Sequence, residues 1–160
     1  MPAKKEVGSK LRKKIITAIF APNISVSVLK ENIQFISEDD ENLNNLLFNR
    51  NYEVRFFLFE NRYLPTIQFI RENPHIDFPI VKVDQGAVQH ILNGADVFAQ
   101  GITSMNHEFN VNSIVIVSNP QDAVLALGKS LKSSKELLSL KGKVIHNIHY
   151  LGDSIWEGKL

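Results

Sequence analysis

The 160-residue chain contains no cysteine, which excludes disulfides and thiolate-held metal and fits a reducing compartment. No apolar run approaches membrane-spanning length, and the amino terminus lacks the hydrophobic stretch of a secretory signal, so the sequence predicts a cytoplasmic protein with no membrane contact. An excess of one charge is missing as well. Residues 1–78 carry 11 Lys and Arg against 10 Asp and Glu, and residues 79–160 carry 7 against 7. A protein that grips many phosphates shows a surplus of cations, so any nucleic-acid contact here has to be small and local, or shared with a larger assembly.

Catalytic signatures are also wanting. There is no G-x-S-x-G elbow, no G-x-G-x-x-G loop, and no phosphate-cradling G-x-x-x-x-G-K-[ST]. Gly128-Lys129-Ser130 is a fragment of the last, but Ala123 stands where its first glycine belongs. His146 and His149 lie three apart on a predicted strand and so point to opposite faces, which fits one ring inward and one outward rather than a shared ion. The sequence therefore leads us to expect no enzyme, no cofactor and no metal.

What is present is 44% hydrophobic residues, enough for two small cores. Six Lys and Arg crowd the first fourteen residues, from Lys4 to Lys14, and read either as a solvated tail or as an RNA or ribosome contact. Leu11, Ile15, Ile16 and Ile19 follow at helical spacing, ending before Pro22. Alternation predicts strands over 24–29 and 33–36, and residues 38–51, with Glu38-Asp39-Asp40-Glu41 and asparagines at 42, 44, 45, 49 and 51, read as a polar connection. Val54 to Phe59 is a further strand closed by a turn at Glu60-Asn61-Arg62. A helix is expected from Pro65, which suits a first turn, to Arg71. Phe78-Pro79 marks a domain boundary. Beyond it the pattern predicts a strand at 80–83, a helix from Gln85, a polar loop from Thr103 to Asn110, strands over 113–117, 123–130 and 144–148, and a short helix at 133–138.

The segment after Phe78 is the most informative. Asp84 follows a β-branched strand where its carboxylate can accept free N–H groups of a first helical turn. Ala87, Val88, Ile91 and Leu92 then share one side, and Gly86, Gln89, His90 and Asn93 form a polar strip on the other. Gly94 ends the helix in a left-handed turn. A glycine in the first turn costs about 1 kcal/mol against alanine, so Gly86 implies either a backbone packed close by or a bound ligand.

Val83-Asp84-Gln85-Gly86-Ala87-Val88, Leu92-Asn93-Gly94-Ala95-Asp96-Val97 and Gly101-Ile102-Thr103-Ser104 together resemble the entry segment of a PUA domain, in the form found in the malignant T-cell-amplified sequence family. Its fungal counterpart is a translation-machinery-associated protein. Ile148-His149-Tyr150-Leu151-Gly152-Asp153-Ser154-Ile155-Trp156 resembles the carboxyl terminus of the same family, and Tyr63 to Ile70 resembles the end of its first domain. The resemblance is good over residues 55–160 and poor before them.

It implies an α+β protein, with a small amino-terminal α/β pre-PUA domain over residues 1–77 and a mixed β pseudo-barrel PUA domain over 78–160. It further implies an RNA-binding translation factor on the small ribosomal subunit that holds the tRNA acceptor end. Such a factor promotes release of deacylated tRNA, ribosome recycling and reinitiation with a density-regulated protein-like partner. The alternative is an accessory PUA subunit of ribosome assembly or RNA modification. The candidate RNA-binding residues are Lys82, Gly86, Gln89, His90, Asn93, Gly94, Gln100 and Gly101. Trp156 is either a base-stacking ring or a plug for the barrel. Three departures stand out: a short first domain, Gln100 where the family usually has proline, and a short loop over 104–112.

Overall fold

The computed structural model describes residues 4–37, 46–137, 139 and 141–159; of the polar connection expected over 38–51, residues 38–45 lie outside them, and Leu46–Phe48 form a buried strand instead. The chain forms two compact units, Phe78 opening the second. The residues from Ser154, expected in the second domain, cluster with the first unit instead.

In the first unit the strands β1 (Lys4–Glu6), β2 (Phe35–Ser37), β3 (Leu46–Phe48), β4 (Val54–Phe59) and β5 (Arg62–Pro65) make one sheet in sequence order, each pair antiparallel. Positive φ at Glu60 and Asn61 turns β4 tightly into β5, as a two-residue hairpin requires. The helices are α1 (Ser9–Ala18), α2 (Val26–Glu31) and α3 (Ile67–Glu72). Phe56 of β4 and Phe69 of α3 pack ring to ring at 4.8 Å, and Leu47, the cross-strand partner of Phe56, shares their face of the sheet, whereas Leu46 and Leu64 pair with Phe57 and are buried on the other face. Arg55 is drawn into this core because its guanidinium spans Asn32 Oδ1 at 2.8 Å and the Glu72 carboxylate, so its charge is paired as it is desolvated.

Several expectations are corrected here. Residues 24–29 are not a strand. Ser25 Oγ accepts the Val28 N–H at 3.3 Å, which caps a helix, and the apparent alternation leaves Val26 53% exposed. The strand expected at 33–36 starts at Phe35. Pro65 ends β5 rather than starting a helix; the cap of α3 is Thr66, whose side chain accepts from Phe69 N. The amino-terminal lysines lie on β1 and α1, not on a tail. Trp156 does not plug the barrel: Arg71 of α3 lies over its ring at 5.8 Å, and Gln68 Nε2 donates to its carbonyl at 3.5 Å.

The second unit contains β6 (Ile80–Val83), α4 (Gln85–Leu92), β7 (Val97–Phe98), a 3-10 turn (Ala99–Gly101), β8 (Ile102–Met105), β9 (Ile114–Ser118), β10 (Val124–Ser130), α5 (Ser134–Leu137) and β11 (Lys143–Tyr150). Strand β8 occupies the beginning of what the sequence suggested was a polar loop. The sheet order is β7-β11-β10-β9-β6-β8, parallel between β6 and β9 and antiparallel elsewhere. The two edge strands, β7 and β8, are joined by only the three residues of the 3-10 turn. Six strands laid flat would set those edges about 24 Å apart at roughly 4.8 Å per strand, whereas the four Cα steps from Phe98 to Ile102 reach about 14 Å at most. The sheet must therefore curl into a mixed pseudo-barrel. Val81, Val83, Val115, Val117, Leu137 and Ile145 fill its interior, and Ala87, Val88 and Leu92 of α4 pack against them.

Candidate functional site

Helix α4 is fixed at both ends. Asp84 Oδ1 accepts the Ala87 N–H at 2.9 Å, and the Asp84 N–H donates to the Gly101 carbonyl at 2.8 Å, which ties the helix start to the 3-10 turn. At the other end Asn147 of β11 donates from Nδ2 to the carbonyls of Ile91 and Ala95 at 3.1 and 3.0 Å, satisfying acceptors that a helix terminus leaves open. Gly94 takes φ +91°, and a Cβ there would stand 3.2 Å from the Tyr150 ring. The left-handed turn and the ring together explain the glycine.

Between α4, β7 and the 3-10 turn lies a groove of about 420 Å³, within the range of roughly 300–1,000 Å³ typical of ligand sites. Ala87, Ile91 and Val97 give it an apolar floor, and His90, Phe98 and Gln100 stand at its edges. Phe98 is 47% exposed, because its neighbours Val97 and Ala99 on the β7 path turn inward and leave its ring outward. The Gln100 side chain accepts the Gly142 N–H at 3.3 Å, linking this rim to the turn before β11.

Two carboxylates also line the groove, Asp84 and Asp96. Asp96 Oδ1 accepts the Asn147 N–H at 2.9 Å and lies 3.1 Å from His146 Nδ1; Lys143 Nζ is 3.7 Å from Oδ2. Burial is the largest single influence on this carboxyl and pushes its pKa up. The Asn147 N–H, the His146 hydrogen bond and charge, and the Lys143 charge together outweigh it and hold the pKa below the ordinary aspartate value. Asp96 is a carboxylate at neutral pH.

The predicted residues separate accordingly. His90, Gln100 and Gly101 line the groove. Gln89 and Asn93 are exposed on the adjoining side of α4. Gly86 is exposed too, and a Cβ there would meet only Asp84 Oδ1, at an ordinary 3.5 Å, so no close backbone explains it. Lys82 is engaged elsewhere, with Nζ 2.7 Å from Asp122 Oδ1, and Gly94 serves the turn under Tyr150. Sequence reasoning missed Asp96 and Phe98 and assigned Asp84 only a capping role. The period-2 flanks of Phe98 were its one readable signal; nothing local marks Asp96, whose partners are fifty residues away.

Of the two histidines on β11, His149 is fully buried and His146 is exposed, one inward and one outward as their spacing requires. Among the described residues no group of three His, Asp or Glu could hold a metal. Nor, among them, is any helix long and apolar enough to cross a membrane.

A curled mixed sheet with a capped helix at its entry and a groove beside that helix defines the class: residues 79–151 match the PUA domain model. A hypothetical protein from Pyrococcus horikoshii has a similar solved structure over 99% of this chain and 100% of that one, with a TM-score of 0.75 and 26% identity. The malignant T-cell-amplified sequence 1 homolog of Dictyostelium discoideum is 30% identical over 162 residues, covering 94% of this chain and 88% of the relative. Translation machinery-associated protein 20 of Eremothecium gossypii is 35% identical over 117 residues, covering 68% of this chain and 64% of the relative. The chain belongs to the malignant T-cell-amplified sequence 1 and translation machinery-associated protein 20 family.

Proposed function

We propose that the protein is a cytoplasmic RNA-binding translation factor and not an enzyme. It acts on the small ribosomal subunit, and its PUA domain holds the tRNA acceptor end to promote deacylated-tRNA release, recycling and reinitiation. The observation that carries this reading is the groove beside α4, which has an apolar floor, an exposed Phe98 ring at its rim and the capacity for one unstacked nucleotide. Recognition of RNA ends works in this way: a splayed base lies against an aromatic or apolar surface while polar groups read its edges. A domain with no net positive charge is suited to such a local contact and not to a long duplex. The first unit supplies the subunit contact and the surface for a density-regulated protein-like partner. Lys10, Lys13 and Lys14 of α1 are exposed at helical spacing and provide cations for ribosomal phosphates.

The test is sedimentation of the purified protein with mature small subunits, with and without deacylated tRNA whose acceptor end is intact or trimmed. Association strengthened by the intact tRNA alone is the expected result. Association with precursor particles but not with mature subunits, in the presence of the partner, would instead assign the protein to ribosome assembly or RNA modification.

A further inference from the structure

The charges around the groove go beyond a general affinity for RNA ends. The described residues lining it include two carboxylates, Asp84 and Asp96, and no lysine or arginine; its one basic ring is His90. The cations next to Asp96, Lys143 and His146, are on β11 and largely exposed, with Lys143 Nζ standing beyond hydrogen-bond distance of Oδ2 at 3.7 Å. Asp96 Oδ1 is occupied by the Asn147 N–H and by His146, whereas Oδ2 keeps lone pairs available to a ligand donor. A phosphate in such a groove would meet like charge. A neutral nucleoside would place its base on the apolar floor and offer ribose hydroxyls or base amines to the carboxylate, a pairing that Asp makes with ribose in other folds.

We propose that the groove selects the terminal nucleoside of an RNA whose 3′ end is unphosphorylated, with Asp96 and Asp84 as the residues that reject a 3′-phosphate. The selection rests on the RNA-end reading above and adds to it a chemical definition of the end. The phosphates of the preceding nucleotides remain outside the groove, on the side where Lys143 stands.

The experiment measures binding, by fluorescence anisotropy, of two short single-stranded RNAs identical except for a 3′-hydroxyl or a 3′-monophosphate. The monophosphate carries close to two negative charges, and like charges a few ångströms apart repel even through solvent. It should therefore bind at least about tenfold more weakly, or about 1.4 kcal/mol. Raising the salt concentration should shrink the gap, because screening acts on charge. Asp96→Asn, which keeps an acceptor for the Asn147 N–H, should shrink it too, as should Asp84→Asn, which keeps the helix cap. Equal binding of the two RNAs, or tighter binding of the phosphorylated one, overturns the selection while leaving the RNA-end reading intact. A gap unchanged by salt and by both substitutions also overturns it, since that is steric exclusion. If neither RNA binds, the RNA-end reading itself fails and the selection with it.

Discussion

The segment from His149 to Asp153, which carries much of the family resemblance, has a structural task that can be measured. His149 is 0% exposed and Asp153 9% exposed, with Nδ1 at 3.0 and 2.9 Å from the two carboxylate oxygens. A carboxylate can only accept, so Nδ1 carries the hydrogen. The same carboxylate accepts the Tyr150 N–H at 2.9 Å, closing the turn in which Gly152 adopts φ +86°. Asp153→Ala removes an acceptor from a buried ring and from a backbone N–H at once. Hydrogen bonds to a charged group are worth about 1.5–3 kcal/mol each, and opening a buried pair costs about 3–5 kcal/mol, so we expect a loss of about 3–5 kcal/mol. At about 2–4 °C per kcal/mol for a chain of this length, the melting temperature should fall by on the order of 6–20 °C, read by circular dichroism or calorimetry. Asp153→Asn retains one carbonyl acceptor and should lie between alanine and the native protein. A drop of under about 2 °C for the alanine variant, less than 1 kcal/mol on the same scale, would refute the structural role.

Three further outcomes follow from the geometry. The Asp96 carboxyl, followed by NMR, should titrate below the ordinary value near 3.9, and Lys143→Ala or His146→Ala should move its midpoint upward. Since its pKa is depressed by folding, the stability it contributes is present above the unfolded-state value and is lost as pH falls through the folded one, that is, below about pH 4. Gly86→Ala should stabilise the protein by about 0.5–1 kcal/mol in denaturant unfolding, because a helical Cβ there meets nothing closer than 3.5 Å and alanine restricts the unfolded chain; destabilisation would mean that the helix start is strained. Replacing Lys10, Lys13 and Lys14 by alanine should weaken small-subunit association and lower its salt slope by about 1 for every phosphate that is no longer neutralised, an unchanged slope excluding α1 from the subunit contact.

Much of the PUA domain was legible from local chemistry. The β-branched run before Asp84, the apolar side of α4 and the glycine at 94 each follow from one stretch of chain, because capping, periodicity and left-handed turns involve near neighbours. The order of strands was not legible in this way. Nothing in residues 97–105 says that β7 and β8 close opposite edges of one sheet, since that depends on pairings with β11 and β6. The apparent strand at 24–29 misled because a two-residue alternation and a capped helical turn both fit so short a segment, and Ser25 decides between them only when the backbone is in place.

The candidate site divides along the same line. The sequence by itself determined that α4 has a core side and a polar side, that Asp84 begins it and Gly94 ends it, and which family the chain resembles. Only the tertiary structure decided which edge of the helix faces a groove. That edge is set by β7 and the 3-10 turn, brought alongside α4 by the curl of the sheet, so the floor is Ala87 and Ile91 and not the Gln89 and Asn93 strip. It also decided that Asp96 stands ionised beside that floor, because its Asn147, His146 and Lys143 partners come from the far end of the domain. Periodicity gives each residue a direction, but what lies in that direction is fixed by contacts between residues distant in sequence.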